Sequence, residues 1–224
     1  MEREPDLGPP VREMLPPRPS LSRARAIAQE CRACRLFRDA TQTVFGEGPA
    51  RAEVMFVGEV PGDAEDLAGH PFVGPAGRLL QDSLDEAGID RDAIYITNVV
   101  KHFKFMRRGK RRIHKKPNAE EIRACFPWLE TEIGLVKPDV VVALGAVAAQ
   151  ALLGPKVRVT KDRGRMMSSA IAGDVVVTVH PSSILRAADD ETRRAERRAF
   201  VRDLVAVAKL LGSRDADRSR RAHG

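Results

Sequence analysis

Four short runs of apolar, largely β-branched residues interrupt an otherwise polar chain: EVMFVG (53–58), AIYITNVV (93–100), DVVVALG (139–145) and DVVVTVH (174–180). None alternates between apolar and polar positions, which is the pattern of strands buried on both faces of a sheet. The intervening segments change to the helical period. PAGRLLQDSLDEAG (75–88) ends on a capping glycine, and NAEEIRACFPWLETEIGLV (118–136) starts on an asparagine cap with acids in its first turn. AVAAQALLG (146–154) and RRAERRAFVRDLVAVAKLLG (193–212) follow the same period. Alternating strands and helices predict an α/β fold, a three-layer α/β/α sandwich around a central four-stranded parallel sheet.

The flanks read differently. Residues 1–24 hold six of the fifteen prolines and no hydrophobic period, so they are expected to be a flexible arm. Residues 25–212 form the expected single domain, and 213–224 a disordered basic tail. No apolar run approaches the length that spans a bilayer, and the acidic, proline-rich start is unlike a secretory signal. A cytoplasmic monomer is the expectation.

Ligands of such sheets sit beyond the carboxyl ends of the strands. Here those ends carry GEVPGDAED, then KHFKF leading into a basic stretch, then GAVA and HPSS. Glu59, Asp63, Glu65 and Asp66 occupy a glycine-proline turn, either as helix-capping acids or as carboxylates facing a cleft. His180 ends another strand, so an imidazole and a carboxylate can converge there, although a strand-end histidine is often only a hydrogen-bond partner. From Lys101 to Lys116 there are nine Lys/Arg and no acid. With a formal net charge of +7 on the chain, this run is either a solvated face or an anion-binding surface presenting His114.

The segments VGEVPGDAEDLAGHPFVGPAGRLL, YITNVVK, VVVALG and VTVHPSSIL, in that order behind a CxxC pair, resemble the uracil-DNA glycosylase superfamily, nearest its iron–sulfur branch. KHFKF followed by KRRIH resembles the UdgX group within it, whose members cross-link to uracil-containing DNA. The resemblance spans about residues 27 to 211. It implies a bacterial base-excision repair enzyme acting on uracil-containing DNA, single-stranded at least, and nucleoid-associated while bound.

The resemblance also assigns roles. Phe72 stacks on uracil, Asn98 bonds its pyrimidine edge, Gly58 lines the pocket and His180 stabilises the departing base. Residue types suit that chemistry, because breaking the glycosidic bond leaves positive charge on the sugar and negative charge on the base. Glu59, with Asp63 and Asp66, completes the expected catalytic set, and His114 bonds covalently to C1′ once uracil departs. Lys110, Arg111, Arg112, Lys115, Ser182 and Ser183 are expected to contact DNA, Arg112 also holding the loop. Where the UdgX pattern has Gly-Glu-Gln-Pro-Gly, this chain has Val60 in place of glutamine, which removes an amide. A conventional turnover glycosylase, in which His114 only binds phosphate, and a non-catalytic, redox-sensitive nucleic-acid-binding protein are the alternatives.

Three cysteines, an odd number, argue against a disulfide framework. Cys31 and Cys34 form a chelating pair, and Cys125 stands on a predicted helix. They are one ligand short of four. In the iron–sulfur branch a cysteine follows the TNVVK segment, and here His102 occupies that place. The resemblance thus implies a [4Fe–4S] cluster on Cys31, Cys34, His102 and Cys125, with zinc or a metal-free cysteine cluster as alternatives.

Overall fold

The computed structural model describes residues 7–222, with side chains through Arg214. The four apolar runs form the strands β1 (Val54–Gly58), β2 (Ile94–Asn98), β5 (Val140–Leu144) and β7 (Gly173–Thr178), all mutually parallel. A fifth strand, β6 (Met166–Ser169), pairs antiparallel with β7, and the sheet order is β2-β1-β5-β7-β6. The four-strand expectation is corrected by this edge. Its sequence, Met-Met-Ser-Ser, is half exposed and lacks the β-branched signal of a central strand.

The two-residue period of the strands divides the core. Met55, Val57, Tyr95, Val141 and Val175 face one hydrophobic cluster, whereas Val54, Phe56, Ile94, Ile96, Val140 and Val142 face the other. On the first side lie α2 (Leu21–Ala28), α5 (Ala119–Val136) and α6 (Ala146–Leu153); on the second, α4 (Pro75–Ala87), α8 (Pro181–Leu185) and α9 (Asp190–Ala222). This is the expected sandwich. The caps are as predicted: Asn118 and Glu121 form a reciprocal capping box on α5, and Gly88 ends α4 in the left-handed conformation.

Both flanks differ from expectation. Residues 1–6 of the expected flexible arm lie outside the described ones, and the remainder contains the short helix α1 (Val11–Met14) and the start of α2. Val11 is buried and Arg12 pairs with Glu130 of α5 at 2.5 Å. Pro10 and Pro19 border the two helices, and periodicity is hard to read in segments this short. At the other end α9 runs on to Ala222, within the stretch expected to be disordered, whose residues 223–224 lie outside the described ones; Arg214 donates to the Asp139 carbonyl at 2.7 Å and pairs with Asp174. No helix among the described residues is long and apolar enough to cross a membrane.

The basic stretch is folded as well. Phe105–Arg108 (β3) and Arg111–His114 (β4) form a two-stranded antiparallel hairpin outside the main sheet, with Phe105 opposite His114. Gly109, at φ 59°, occupies the first position of the two-residue turn, where a glycine is favoured.

Candidate active site

The strand ends converge as the topology requires. Gly58 and Asn98 are register partners at the ends of β1 and β2, and a Cβ on Gly58 would collide with the Asn98 amide and the Phe72 ring. Glycine at this point therefore lets the buried Asn98 side chain and an aromatic ring share one floor. Phe72 adopts a left-handed conformation, φ 58°, which is strained for an aromatic residue. Two contacts hold its loop. The carboxylate of Glu65, on α3 (Asp63–Ala68), accepts the Gly74 N–H at 3.0 Å, and the Phe72 carbonyl packs where a Cβ on Gly77 would stand.

His180 lies over this floor, its ring centroid 5.8 Å from that of Phe72. A Cβ on Gly145 would stand 3.0 Å from the His180 Cβ, so the glycine after β5 makes room for it. Burial, reinforced by the charge of Arg186, lowers the His180 pKa to about 4, and the ring is neutral near pH 7. Its Nδ1 accepts the Ser182 N–H at 3.1 Å and lies 2.8 Å from Ser182 Oγ. That bond puts the remaining proton on Nε2, making it a donor.

Glu59 and His114 complete the group. Burial raises the Glu59 pKa, opposed by the charges of Lys116 and Arg186. The His114 pKa is lowered by desolvation and then by Arg186, with Glu65 acting the other way. His114 also couples electrostatically to His180, and its ring centroid is 6.2 Å from that of Phe103. One arginine therefore acts electrostatically on all three groups: Arg186 favours ionised Glu59 and neutral His114 and His180. The sequence marks Lys116 only as the end of the basic run and does not single out Arg186. Arg186 directly follows α8, and scanning beyond the HPSSIL segment would have found it.

Asp63 and Asp66, expected in the catalytic set, are otherwise engaged. Arg112 donates to Asp63 Oδ1 at 2.5 Å and to Asp66 Oδ2 at 2.6 Å, and the fully buried Asp66 also accepts from the Thr41 N–H and hydroxyl. The Arg112 guanidinium lies over Phe103 and Phe105, 5.4 and 5.2 Å from their centroids. These carboxylates tie the hairpin to α3 through Arg112, which is the loop-holding contact that the resemblance gave this arginine. Lys110, Arg111, Lys115 and Ser183 remain exposed, while Ser182 is engaged with His180. Val60 is buried in the hydrophobic core.

The three thiols are all free and buried, and belong to the same hydrophobic cluster. Burial pushes the Cys34 thiol up to about 11 and the Cys125 thiol up as well, and each is influenced by its neighbouring cysteines. Cys31 Sγ accepts the Trp128 indole N–H at 3.3 Å, and Cys125 Sγ the Lys101 N–H at 3.2 Å. His102 is buried, with Nε2 2.9 Å from Thr43 Oγ1. Among the described residues no three His, Cys, Asp or Glu side chains stand close enough to hold a single metal ion. A cubane spreads its ligands more widely than one ion does, and N–H donors aimed at sulfur suit thiolates bound to such a cluster.

The chain is similar to known proteins over most of its length. Residues 45–205 match the sequence model of the uracil DNA glycosylase superfamily. The chain is 42% identical over 167 residues to a type-4 uracil-DNA glycosylase of Thermotoga maritima, covering 74% of this chain and 83% of that one. It is 37% identical over 192 residues to the type-4 enzyme of Pyrobaculum aerophilum, covering 83% and 91% respectively. A type-5 uracil-DNA glycosylase of Thermus thermophilus is 34% identical over 125 residues, 49% of this chain and 53% of the relative.

Proposed function

The chain belongs to the uracil DNA glycosylase superfamily, and from that premise we propose that it excises uracil from DNA in base-excision repair and then captures the sugar on His114. The observation that carries the reading is the floor of Asn98 and Phe72 at the end of β1 with the His180 ring beside it, together with the charge of Arg186, which acts on Glu59, His114 and His180 alike.

The flipped nucleotide lays its base against Phe72 with its edge toward Asn98. The bond from C1′ to N1 breaks and its electron pair leaves on uracil, where the Nε2–H of neutral His180 stabilises the developing anion. Ionised Glu59 offsets the positive charge building on the sugar. The lone pair of neutral His114 then forms a bond to C1′, and the proton on its other ring nitrogen passes to Glu59. Protein and DNA are left joined, so each molecule acts about once. The register pair Phe105–His114 at the end of the hairpin supports this role, because it fixes the imidazole on a β-ribbon in place of a mobile loop. Lys110, Arg111 and Lys115 supply positive charge along the DNA backbone.

A [4Fe–4S] cluster is proposed on Cys31, Cys34 and Cys125, with His102 as fourth ligand. Held there, it would tie the CxxC segment and α5 to the residues leading into the hairpin.

A denaturing gel tests the reading. Wild-type protein incubated with a uracil-containing single strand is expected to give an SDS-resistant band that is absent with a thymine strand and absent in His114→Ser. Free uracil without such a band would establish the turnover alternative; binding without base release would remove the enzymatic reading altogether.

A further inference from the structure

Two fully buried charged groups lie against the turn that carries Asn98. Lys101 and Glu132 are both fully buried and their charged atoms are 2.5 Å apart. We propose that Lys101 is the positioning residue of the pocket: its ammonium locks the turn that fixes Asn98 relative to Glu59. This rests on the reading of Asn98 as the group that binds the uracil edge.

Residues 98–101 leave β2 in a turn that laces the two strand ends together, with the Val99 N–H on the Gly58 carbonyl and the Val100 N–H on the Glu59 carbonyl, both at 3.0 Å. Base reader and carboxylate therefore share one scaffold. The Lys101 chain folds back under that turn. Its Nζ donates to the Asn98 carbonyl and to Thr97 Oγ1, each at 2.7 Å, as well as to Glu132 Oε2. Three donors meet three acceptors, so the ammonium has no donor left over and one orientation.

Glu132 is fixed just as fully. It accepts from the Tyr95 hydroxyl at 3.0 Å, from Thr97 Oγ1 at 3.0 Å and from the Gly46 N–H at 2.9 Å. A buried ion pair contributes less stability than well-packed apolar groups of its size, so stability is a poor account of this one. Orientation is a better one. The Asn98 amide fits against Gly58 with no room for a single added carbon, and a small shift of its main chain would tilt it away from Phe72.

The test removes both charges together, because removing one would strand the other. Lys101→Met with Glu132→Gln keeps an acceptor for Tyr95, Thr97 and Gly46. Inhibition by free uracil is expected to weaken by roughly 10- to 100-fold. Asn98→Ala should weaken it to a similar extent, and adding Asn98→Ala to the double variant should cost nothing further, the signature of two residues acting as one. A lower maximal rate with an unchanged uracil inhibition constant would overturn the proposal, since a merely structural role reduces only the active fraction. So would losses that add. If the double variant does not fold, Lys101→Gln with Glu132→Gln, a neutral pair that removes the ammonium and still hydrogen-bonds, carries the same comparison. If wild-type protein releases no uracil, the proposed function fails by itself, and the Asn98 side-chain amide NMR signals still decide. They should shift with free uracil in the wild type and not in the variant; equal shifts in both, or none in either, would overturn the positioning role.

Discussion

The floor of the site and the hairpin above it are built in opposite ways. The floor is made of strand ends, glycines and a buried ion pair, each held by several contacts from distant parts of the chain. The hairpin is short and solvated, with Met106 and Ile113 respectively 48% and 40% exposed, and it is latched to α3 through Arg112. Recognition and capture thus sit on parts with different mechanical support. A substitution in one should leave the other largely intact.

Arg112 gives the largest test of that separation. Lysine retains the charge but cannot bridge Asp63 and Asp66 in one plane or stack on Phe103 and Phe105. In Arg112→Lys the formation of the SDS-resistant adduct is expected to slow by roughly 10- to 100-fold through misplacement of His114, while the rate of uracil release, followed by chromatography, changes much less. An equal fall in both rates would join the two regions into one device and break the comparison.

A smaller effect is expected where the regions meet. Arg186 favours ionised Glu59 and neutral His114. Capture needs both forms, so its rate should fall on the acid side. Without the cation the Glu59 and His114 pKa values both rise, which moves that acid limb to higher pH. Arg186→Gln should therefore lose most adduct formation in mildly acidic buffer and least in alkaline buffer, as measured by adduct yield across a pH series. The shift should shrink as salt screens the exposed guanidinium in the wild type. An acid limb that stays in place would show that Arg186 does not set these charge states.

How much of this was legible depended on whether the signal was local. The four parallel strands announced themselves because a doubly buried strand must be apolar throughout, and the Asn118 and Gly88 caps because capping chemistry lies within a few residues of its helix. The hairpin did not. Its Gly-Lys turn is a hairpin signal, but the flanking strands carry arginines where alternating apolar residues are expected, since they belong to no core. Glu59 and His180 could be chosen by their place at strand ends. Nothing near Asp63 or Asp66 foretold that Arg112, more than forty residues away, would occupy them, and the Lys101–Glu132 pair was equally hidden because its partners come from β2, α5 and the segment before β1. Long-range polar pairing leaves no period in the sequence.

The smallest effect expected is also purely electrostatic. Lys110 and Arg111 lie at the exposed tip of the hairpin and make no contribution to the latch or the floor. If each neutralises one phosphate, removing both as Lys110→Gln and Arg111→Gln should lower the slope of log affinity against log salt by about 1.4 for a single strand, with affinity reduced alike for uracil and thymine strands. Uracil release and adduct formation at saturating DNA should be unchanged, because neither residue supports His114 or Asn98. A change in the saturated adduct rate would mean that the hairpin tip transmits force to its base, and the hairpin would then have to be treated as a moving part. An unchanged salt slope would instead place the DNA backbone elsewhere, leaving the arginines and lysines of the tip as a solvated face.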